Sequence, residues 1–134
     1  MKVRVRYHET DQMGIVHHAN FLTWFEVGRT EFMRKSGLSY REVEEQGYRL
    51  PVIEAHVRYH QPALYDRELS IQVMADSFQR LRLRFNYRIF DIESGRLLEE
   101  GYTLHALVDS AGRPVNPRHL RPELLDRLRL VFHR

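Results

Sequence analysis

Apolar and polar residues alternate along most of this chain, which is the period of half-buried β-strands. The first such segment covers residues 2–8 and has Val3, Val5 and Tyr7 on its apolar side. Four later segments with the same period lie at 52–62, 69–75, 81–89 and 97–108. Turn-forming residues at 76–77, 93–95 and 110–112 predict that these four strands follow one another as a meander.

Three segments have a helical period instead. Over residues 20–36 apolar residues recur every three or four positions, which predicts an amphipathic helix about 25 Å long. Asn20 is predicted to cap its start, and Gly37 to end it in a left-handed conformation. A capping-box pattern predicts a short helix over 39–46, and spaced leucines predict a last helix after Pro122.

This order of elements predicts an α+β fold, in which an antiparallel sheet of five strands wraps around the long helix. The chain has 134 residues, which suffices for one core, so residues 1–134 are expected to form a single domain. An open sheet leaves unpaired edges, and we therefore expect a second subunit to pair with it.

Composition narrows the classes of function. The absence of cysteine excludes disulfides, thiolate metal sites and cysteine nucleophiles. No apolar run is long enough to span a bilayer and no apolar leader precedes the first strand, so we expect no membrane span and a cytoplasmic location. The net charge of +3 comes mainly from arginine, but no recognition helix accompanies it, and we expect no nucleic-acid partner.

The candidate chemistry lies in the loop at residues 9–18, just before the long helix. Asp11 supplies a carboxylate, and the free N–H groups of a helix start can stabilise a developing negative charge. An ionised aspartate can activate water or attack a carbonyl carbon itself. Gly14 is predicted to permit a tight turn and a close approach of substrate. Alternatively, Asp11 only caps a turn or the helix.

The same residues carry a family resemblance. Residues 11–21 read Asp-x-x-Gly-x-Val-x-His-x-Asn-Phe, followed by Trp-Phe-Glu at 24–26 and a second segment at 57–66. This pattern resembles the hotdog-fold acyl-CoA thioesterases, and most closely the 4-hydroxybenzoyl-CoA thioesterase-like family. The histidine at position 18 resembles the Tol-Pal-associated branch of that family.

The resemblance implies a hotdog fold and hydrolysis of an acyl-CoA to the free acid and coenzyme A. It places the catalytic carboxylate on Asp11, as general base or nucleophile, and the oxyanion donor on the backbone N–H of His18. It implies no cofactor, because coenzyme A is part of the substrate. It also implies a homodimer that assembles into a homotetramer. Acyl length, aromatic preference and an acyl-carrier-protein substrate stay open.

Basic side chains bind the nucleotide part of coenzyme A in that family. Arg80 and Arg82, beside the strand predicted at 81–89, are the candidates for phosphate contact here, and His60 extends the basic face. A solvated basic face is the alternative interpretation.

Two rival interpretations concern the chemistry. His17 and His18 could pair on a metal, but adjacent residues at a helix start point apart and no third ligand has a suitable spacing, so we expect no metal site. A non-catalytic acyl-CoA-binding protein is the alternative function, because a fold does not guarantee chemistry. Asp11 argues against it, since binding an anionic ligand does not need an anion at the site.

Overall fold

The structure, a computed structural model, describes residues 1–132. The predicted domain of residues 1–134 therefore ends in two residues outside this range. The described helices are α1 (Ala19–Lys35), α2 (Tyr40–Glu45) and α3 (Pro122–Phe132). The described strands are β1 (Lys2–Arg4), β2 (Tyr48–Arg49), β3 (Val52–Tyr59), β4 (Glu68–Gln79), β5 (Arg82–Asp91), β6 (Leu97–Ala106) and β7 (Val108–Asp109).

Five strands form one antiparallel sheet in the order β1-β4-β5-β6-β3. The predicted α+β class with a five-stranded antiparallel sheet is confirmed. The prediction of a four-strand meander is wrong for β3, which pairs with β6 at the sheet edge. The connection after β3 carries the chain to the opposite side of the sheet, and it bonds on the way to the loop before α1, where the Val16 N–H donates to the Ala63 carbonyl at 2.9 Å.

Helix α1 packs across one face of this sheet. Its buried residues are Phe21, Trp24, Phe25, Gly28 and Met33. Phe25 stacks on Tyr87 of β5, with ring centroids 4.1 Å apart and planes 5° from parallel. A Cβ atom on Gly28 would lie 2.9 Å from methyl groups of Ile71 and Val73, so glycine allows the helix to approach β4 closely.

The local predictions for the helices hold with small corrections. The capping box before α2 is confirmed, because the Glu42 N–H donates to Ser39 Oγ at 3.2 Å. Helix α1 starts at Ala19, so the prediction that Asn20 caps it is wrong. The Asn20 side chain donates instead to the Glu9 carbonyl at 2.9 Å, which ties the helix start to the preceding loop.

The predicted strand ends differ most from the structure in the first strand and in β4. The first strand stops at Arg4, and a 3₁₀ turn at Tyr7–Glu9 leaves Tyr7 79% exposed. The break predicted at 76–77 is a bulge within β4, and the hairpin turn lies at Arg80 and Leu81, whose φ angles are 53° and 58°. The polar residues at 76–77 favour a turn by their type, but Asp76 pairs with Arg84 across the hairpin at 3.2 Å.

A series of buried hydrogen bonds links side chains of β6 and β5 in the core. His105 is 0% exposed, and its Nδ1 lies 3.0 Å from the Leu50 carbonyl, which can only accept a hydrogen bond. Nδ1 therefore carries the proton, and Nε2 accepts from the Thr103 hydroxyl at 2.8 Å. That hydroxyl accepts in turn from Tyr87 at 2.5 Å. Burial lowers the pKa of His105 to about 4, so the ring is neutral at pH 7.

This histidine should make the folded state sensitive to acid. Its pKa in the folded chain, about 4, lies below the ordinary 6.5 expected when unfolded, so the unfolded chain takes up the proton first as pH falls. We expect the free energy of unfolding, measured in urea, to fall between pH 6.5 and 4, and His105→Gln to reduce that slope. The same substitution at exposed His8 is the control, and equal slopes in all three proteins would contradict the expectation.

Candidate active site

The buried carboxylate of Glu9 anchors the loop at residues 9–18 to Arg6 and to helix α1. Glu9 is 3% exposed; its Oε1 accepts from the Arg6 N–H at 2.8 Å and its Oε2 from the Trp24 indole at 3.1 Å. Burial alone would raise the pKa of Glu9, but the bonds from Arg6 and Trp24 outweigh it and lower the pKa. The backbone carbonyl of Glu9 also accepts from His17 at 2.9 Å. The loop is therefore held in one position over α1.

Asp11 and Gly14 form a tight turn at the outer end of this loop. Asp11 Oδ1 accepts from the backbone N–H groups of Met13 at 2.8 Å and Ile15 at 3.4 Å. Gly14 has φ +78°, the left-handed region that favours glycine, so the predicted turn glycine is confirmed. Within residues 1–132, Asp11 Oδ2 has no hydrogen-bond partner. One carboxylate oxygen thus holds the turn and the other is available to a substrate.

A cleft of about 400 Å³ opens between this loop, the start of α1 and the end of β3. Three of the predicted site residues line it: Asp11, His18 and His60. Its remaining lining includes Val16, Phe21, Tyr59, Ala63 and Glu99. The structure therefore brings the predicted carboxylate and the predicted oxyanion donor to one cavity.

His18 is the residue that directly precedes α1 and acts as its N-cap. Its backbone N–H has no acceptor in the part of the chain that the structure describes, and it belongs to the set of N–H groups that a helix start leaves free. Its carbonyl accepts from the Tyr59 hydroxyl at 3.1 Å. Its ring lies against that of His17, with centroids 4.3 Å apart, so the expectation that these two side chains point apart is wrong. The helix dipole adds to the positive potential at this N–H.

Of the three predicted phosphate contacts, two lie elsewhere. His60 is in the cleft and forms an ion pair with Glu100 at 3.3 Å when it is protonated. Arg82 precedes Ile89 by seven residues on β5, and Ile89 pairs with Glu99 at the cleft. At about 3.3 Å per residue, Arg82 lies roughly 23 Å from the cleft along the sheet. Arg80, in the turn before it, is at the same far end, so neither arginine reaches the cleft of its own chain.

The sequence did not predict a role for Tyr59 or Glu99, which also line the cleft. Tyr59 and Glu99 face each other across β3 and β6. Glu99 is 1% exposed and is followed at every second position of β6 by Gly101, Thr103 and His105. The polar members of this row were the available signal, because polar side chains on the helix-facing side of an interior strand need hydrogen-bond partners in the core.

No group of three or more potential ligands that could hold a metal ion occurs within residues 1–132. None of the helices in that range is long and apolar enough to cross a bilayer.

Sequence comparisons identify relatives over most of the chain. Residues 5–128 match the model of the thioesterase-like superfamily. The YneP protein of Bacillus subtilis (strain 168), which carries a provisional acyl-CoA thioesterase name, is 32% identical over 123 residues, 91% of this chain and 88% of that protein. The acyl-CoA thioester hydrolase YbgC of Escherichia coli O6:H1 is 35% identical over 107 residues, 80% of this chain and 79% of that protein.

A solved structure agrees with them. The DHNA-CoA thioesterase from Staphylococcus aureus superposes with a TM-score of 0.87 at 31% identity, covering 96% of this chain and 86% of that chain. The predicted hotdog fold is thereby confirmed. The chain belongs to the thioesterase-like superfamily and is a hotdog-fold thioester hydrolase.

Proposed function

We propose that this protein hydrolyses acyl-CoA thioesters to the free acid and coenzyme A, in the cleft that holds Asp11 and His18. The observation that carries the proposal is that one cavity is lined by Asp11, which has a free carboxylate oxygen, and by His18, whose N–H is unpaired at a helix start. Relatives of 32% and 35% identity with acyl-CoA thioesterase names support the substrate class. The proposed reaction needs no cofactor. Membership of the Tol-Pal-associated branch is part of the proposal and rests on the motif that contains His18.

The thioester carbonyl would lie between these two groups. In one route Asp11 takes a proton from water as the water oxygen attacks the carbonyl carbon. In the other, Asp11 Oδ2 attacks that carbon itself, and loss of the thiolate leaves an anhydride that water then cleaves. In both routes the carbonyl oxygen gains negative charge, which the His18 N–H stabilises. The C–S bond then breaks and its electron pair leaves on the sulfur, which becomes the coenzyme A thiol after taking up a proton.

The alternative function, non-catalytic acyl-CoA binding, makes a different prediction. The test is thiol release by the native chain from acetyl-, octanoyl-, benzoyl- and hydroxybenzoyl-CoA, with binding measured in parallel by calorimetry. Aromatic acyl groups are included because a relative of 31% identity is a DHNA-CoA thioesterase. Thiol release well above the buffer rate supports hydrolysis. Binding without release across the panel supports the binding protein.

We also propose that the protein forms homodimers that assemble into homotetramers, with β3 pairing with β3 of the partner. Strand β3 is a sheet edge, and it exposes Val52, Ile53 and Tyr59. Light scattering tests this proposal: a monomeric mass at micromolar concentration would exclude it.

Such a pair would explain how distant arginines serve the cleft. Val52, at the start of β3, is level with His105 on β6 and Leu83 on β5, beside Arg82. In an antiparallel β3–β3 pair, the start of one β3 lies beside the end of the other, where the cleft is. We therefore propose that the phosphates of coenzyme A contact His60 of one subunit and Arg80 and Arg82 of the other.

Loss of either arginine should weaken substrate binding more than chemistry. We expect Arg80→Ala or Arg82→Ala to raise KM for an acyl-CoA by roughly tenfold, with a smaller salt dependence and a nearly unchanged kcat. Arg129→Ala, an exposed arginine on α3, is the control. Equal KM values in all these variants would remove Arg80 and Arg82 from the binding site.

A further inference from the structure

Glu99 is a buried carboxyl group with an unsatisfied oxygen at the cleft. Within residues 1–132 its Oε2 has no hydrogen-bond partner, although the residue is only 1% exposed. An unpaired buried polar group normally costs stability, so it calls for an explanation. The neighbouring Glu100 shows the usual solution, because it pairs with His60 at 3.3 Å and with Arg88 at 4.0 Å. No ion pair of the described chain includes Glu99.

The cleft has an exposed rim and a buried floor. The groups proposed for the chemistry, Asp11 and the N–H of His18, are at the exposed rim. The floor contains Val16, Phe21 and Ala63, which are at most 7% exposed. Coenzyme A is large and polyanionic and stays at the solvent side, so the acyl group is the part that enters the floor. Glu99 is the polar residue that it meets there.

The protonation state of Glu99 fits such a contact. Burial raises the pKa of this carboxyl to about 8, so at pH 7 the group is mostly neutral and has both an O–H donor and an acceptor oxygen. The titratable groups that share the cleft are Asp11, His17 and His18 from the loop and Tyr59 and His60 from the end of β3. None of them forms an ion pair or hydrogen bond with Glu99 in the described chain.

We propose that Glu99 is a specificity-determining residue, whose carboxyl group hydrogen-bonds a hydroxyl group carried by the acyl part of the thioester. A substrate hydroxyl can donate to the unpaired oxygen of Glu99 and accept from its O–H group. A plain alkyl or aryl group leaves that oxygen and that O–H without a partner. A site built to hydrogen-bond a substrate hydroxyl discriminates strongly against the analogue that lacks it. This inference rests on the proposed acyl-CoA hydrolysis and names the class of acyl group.

The test compares matched substrates that differ by one hydroxyl: 3-hydroxybutanoyl- with butanoyl-CoA, and 4-hydroxybenzoyl- with benzoyl-CoA. For at least one pair, the native chain is expected to favour the hydroxylated member in kcat/KM by roughly tenfold or more. Glu99→Leu is expected to abolish that preference while it retains hydrolysis of the unsubstituted member. Glu99→Gln should keep part of the preference, because the amide still donates and accepts. Glu100→Leu is the control, and its preference should equal that of the native chain.

The outcomes separate this inference from the proposed function. Hydrolysis by the native chain with no preference in either pair, or an equal fall for both members of a pair in Glu99→Leu, overturns the role of Glu99 and leaves the hydrolysis intact. Failure of the native chain to hydrolyse any acyl-CoA overturns both.

A readout without substrate provides a second test. Because Glu99→Leu removes an unpaired buried carboxyl, it is expected to raise the midpoint of thermal unfolding. A lower midpoint would show that the folded protein satisfies this carboxyl by itself, as a contact between subunits would, and would overturn the inference.

Discussion

Replacement of Asp11 by asparagine is expected to lower kcat for acyl-CoA hydrolysis by roughly 10²–10⁴-fold, the usual contribution of a positioned general base. An amide cannot take a proton from water and is a poor nucleophile, so the loss applies to both proposed routes. The fold should survive, because an asparagine oxygen still accepts from the Met13 and Ile15 N–H groups that now bond to Asp11. Binding of acyl-CoA should also persist, because the turn that carries residue 11 keeps its shape.

The chain offers a matched control for this variant. Asp109 holds a turn in the same way as Asp11, since its Oδ1 accepts from the N–H groups of Ala111 and Arg113, both at 2.9 Å. Asp109→Asn should therefore leave kcat close to the native value. Thiol release can be followed with a thiol-reactive dye, because the protein has no cysteine to react with it. If the Asp11 and Asp109 variants are equally active, Asp11 only caps its turn.

Substitution of Gly101 by alanine is expected to have the largest effect on stability. Gly101 lies in β6, opposite Val57 of β3 and Tyr87 of β5. A Cβ atom there would overlap the backbone carbonyl of His56 and lie 3.1 Å from the ring of Phe25. Backbone cannot rotate away as a side chain does, so β3 must separate from β6. We expect a loss of about 3 kcal/mol or more, against a total stability of about 5–15 kcal/mol for an ordinary domain.

Urea unfolding of Gly101→Ala and Gly95→Ala distinguishes the cost of a steric contact from the cost of an unfavourable backbone conformation. Gly95 lies in the hairpin between β5 and β6 with φ +72°, and a Cβ atom there meets nothing within 4 Å. Alanine at that position should cost only about 1 kcal/mol, from backbone strain. Equal losses in the two variants would show that the contact with His56 is relieved at little cost.

Local features were predictable because neighbouring residues determine them. The spacing of apolar residues in α1 and the Ser39–Glu42 capping box depend on a few adjacent side chains. The position of β3 beside β6 depends on pairings between residues about 40 to 50 positions apart, such as Val57 with Gly101. Nothing in the local pattern of β3 distinguishes that partner from β4.

The site was predictable to a similar extent. Asp11, Gly14 and His18 are close in sequence, so their motif indicated one loop and one helix start. Glu99 comes from a different part of the chain, and its burial depends on the interior place of β6 between β5 and β3. Alternation of polar residues in a strand does not indicate which face of the strand is covered by the helix, so no role for Glu99 could be predicted from the sequence.

The bond between Glu9 and the indole of Trp24 has a practical use. The chain contains one tryptophan, and that ring lies directly beneath the segment that forms one wall of the cleft. Indole emission responds to the polarity around the ring. Intrinsic fluorescence of the unlabelled protein therefore reports on a single known position, and titration with a non-hydrolysable thioether analogue would give ligand affinity and loop movement in one optical signal.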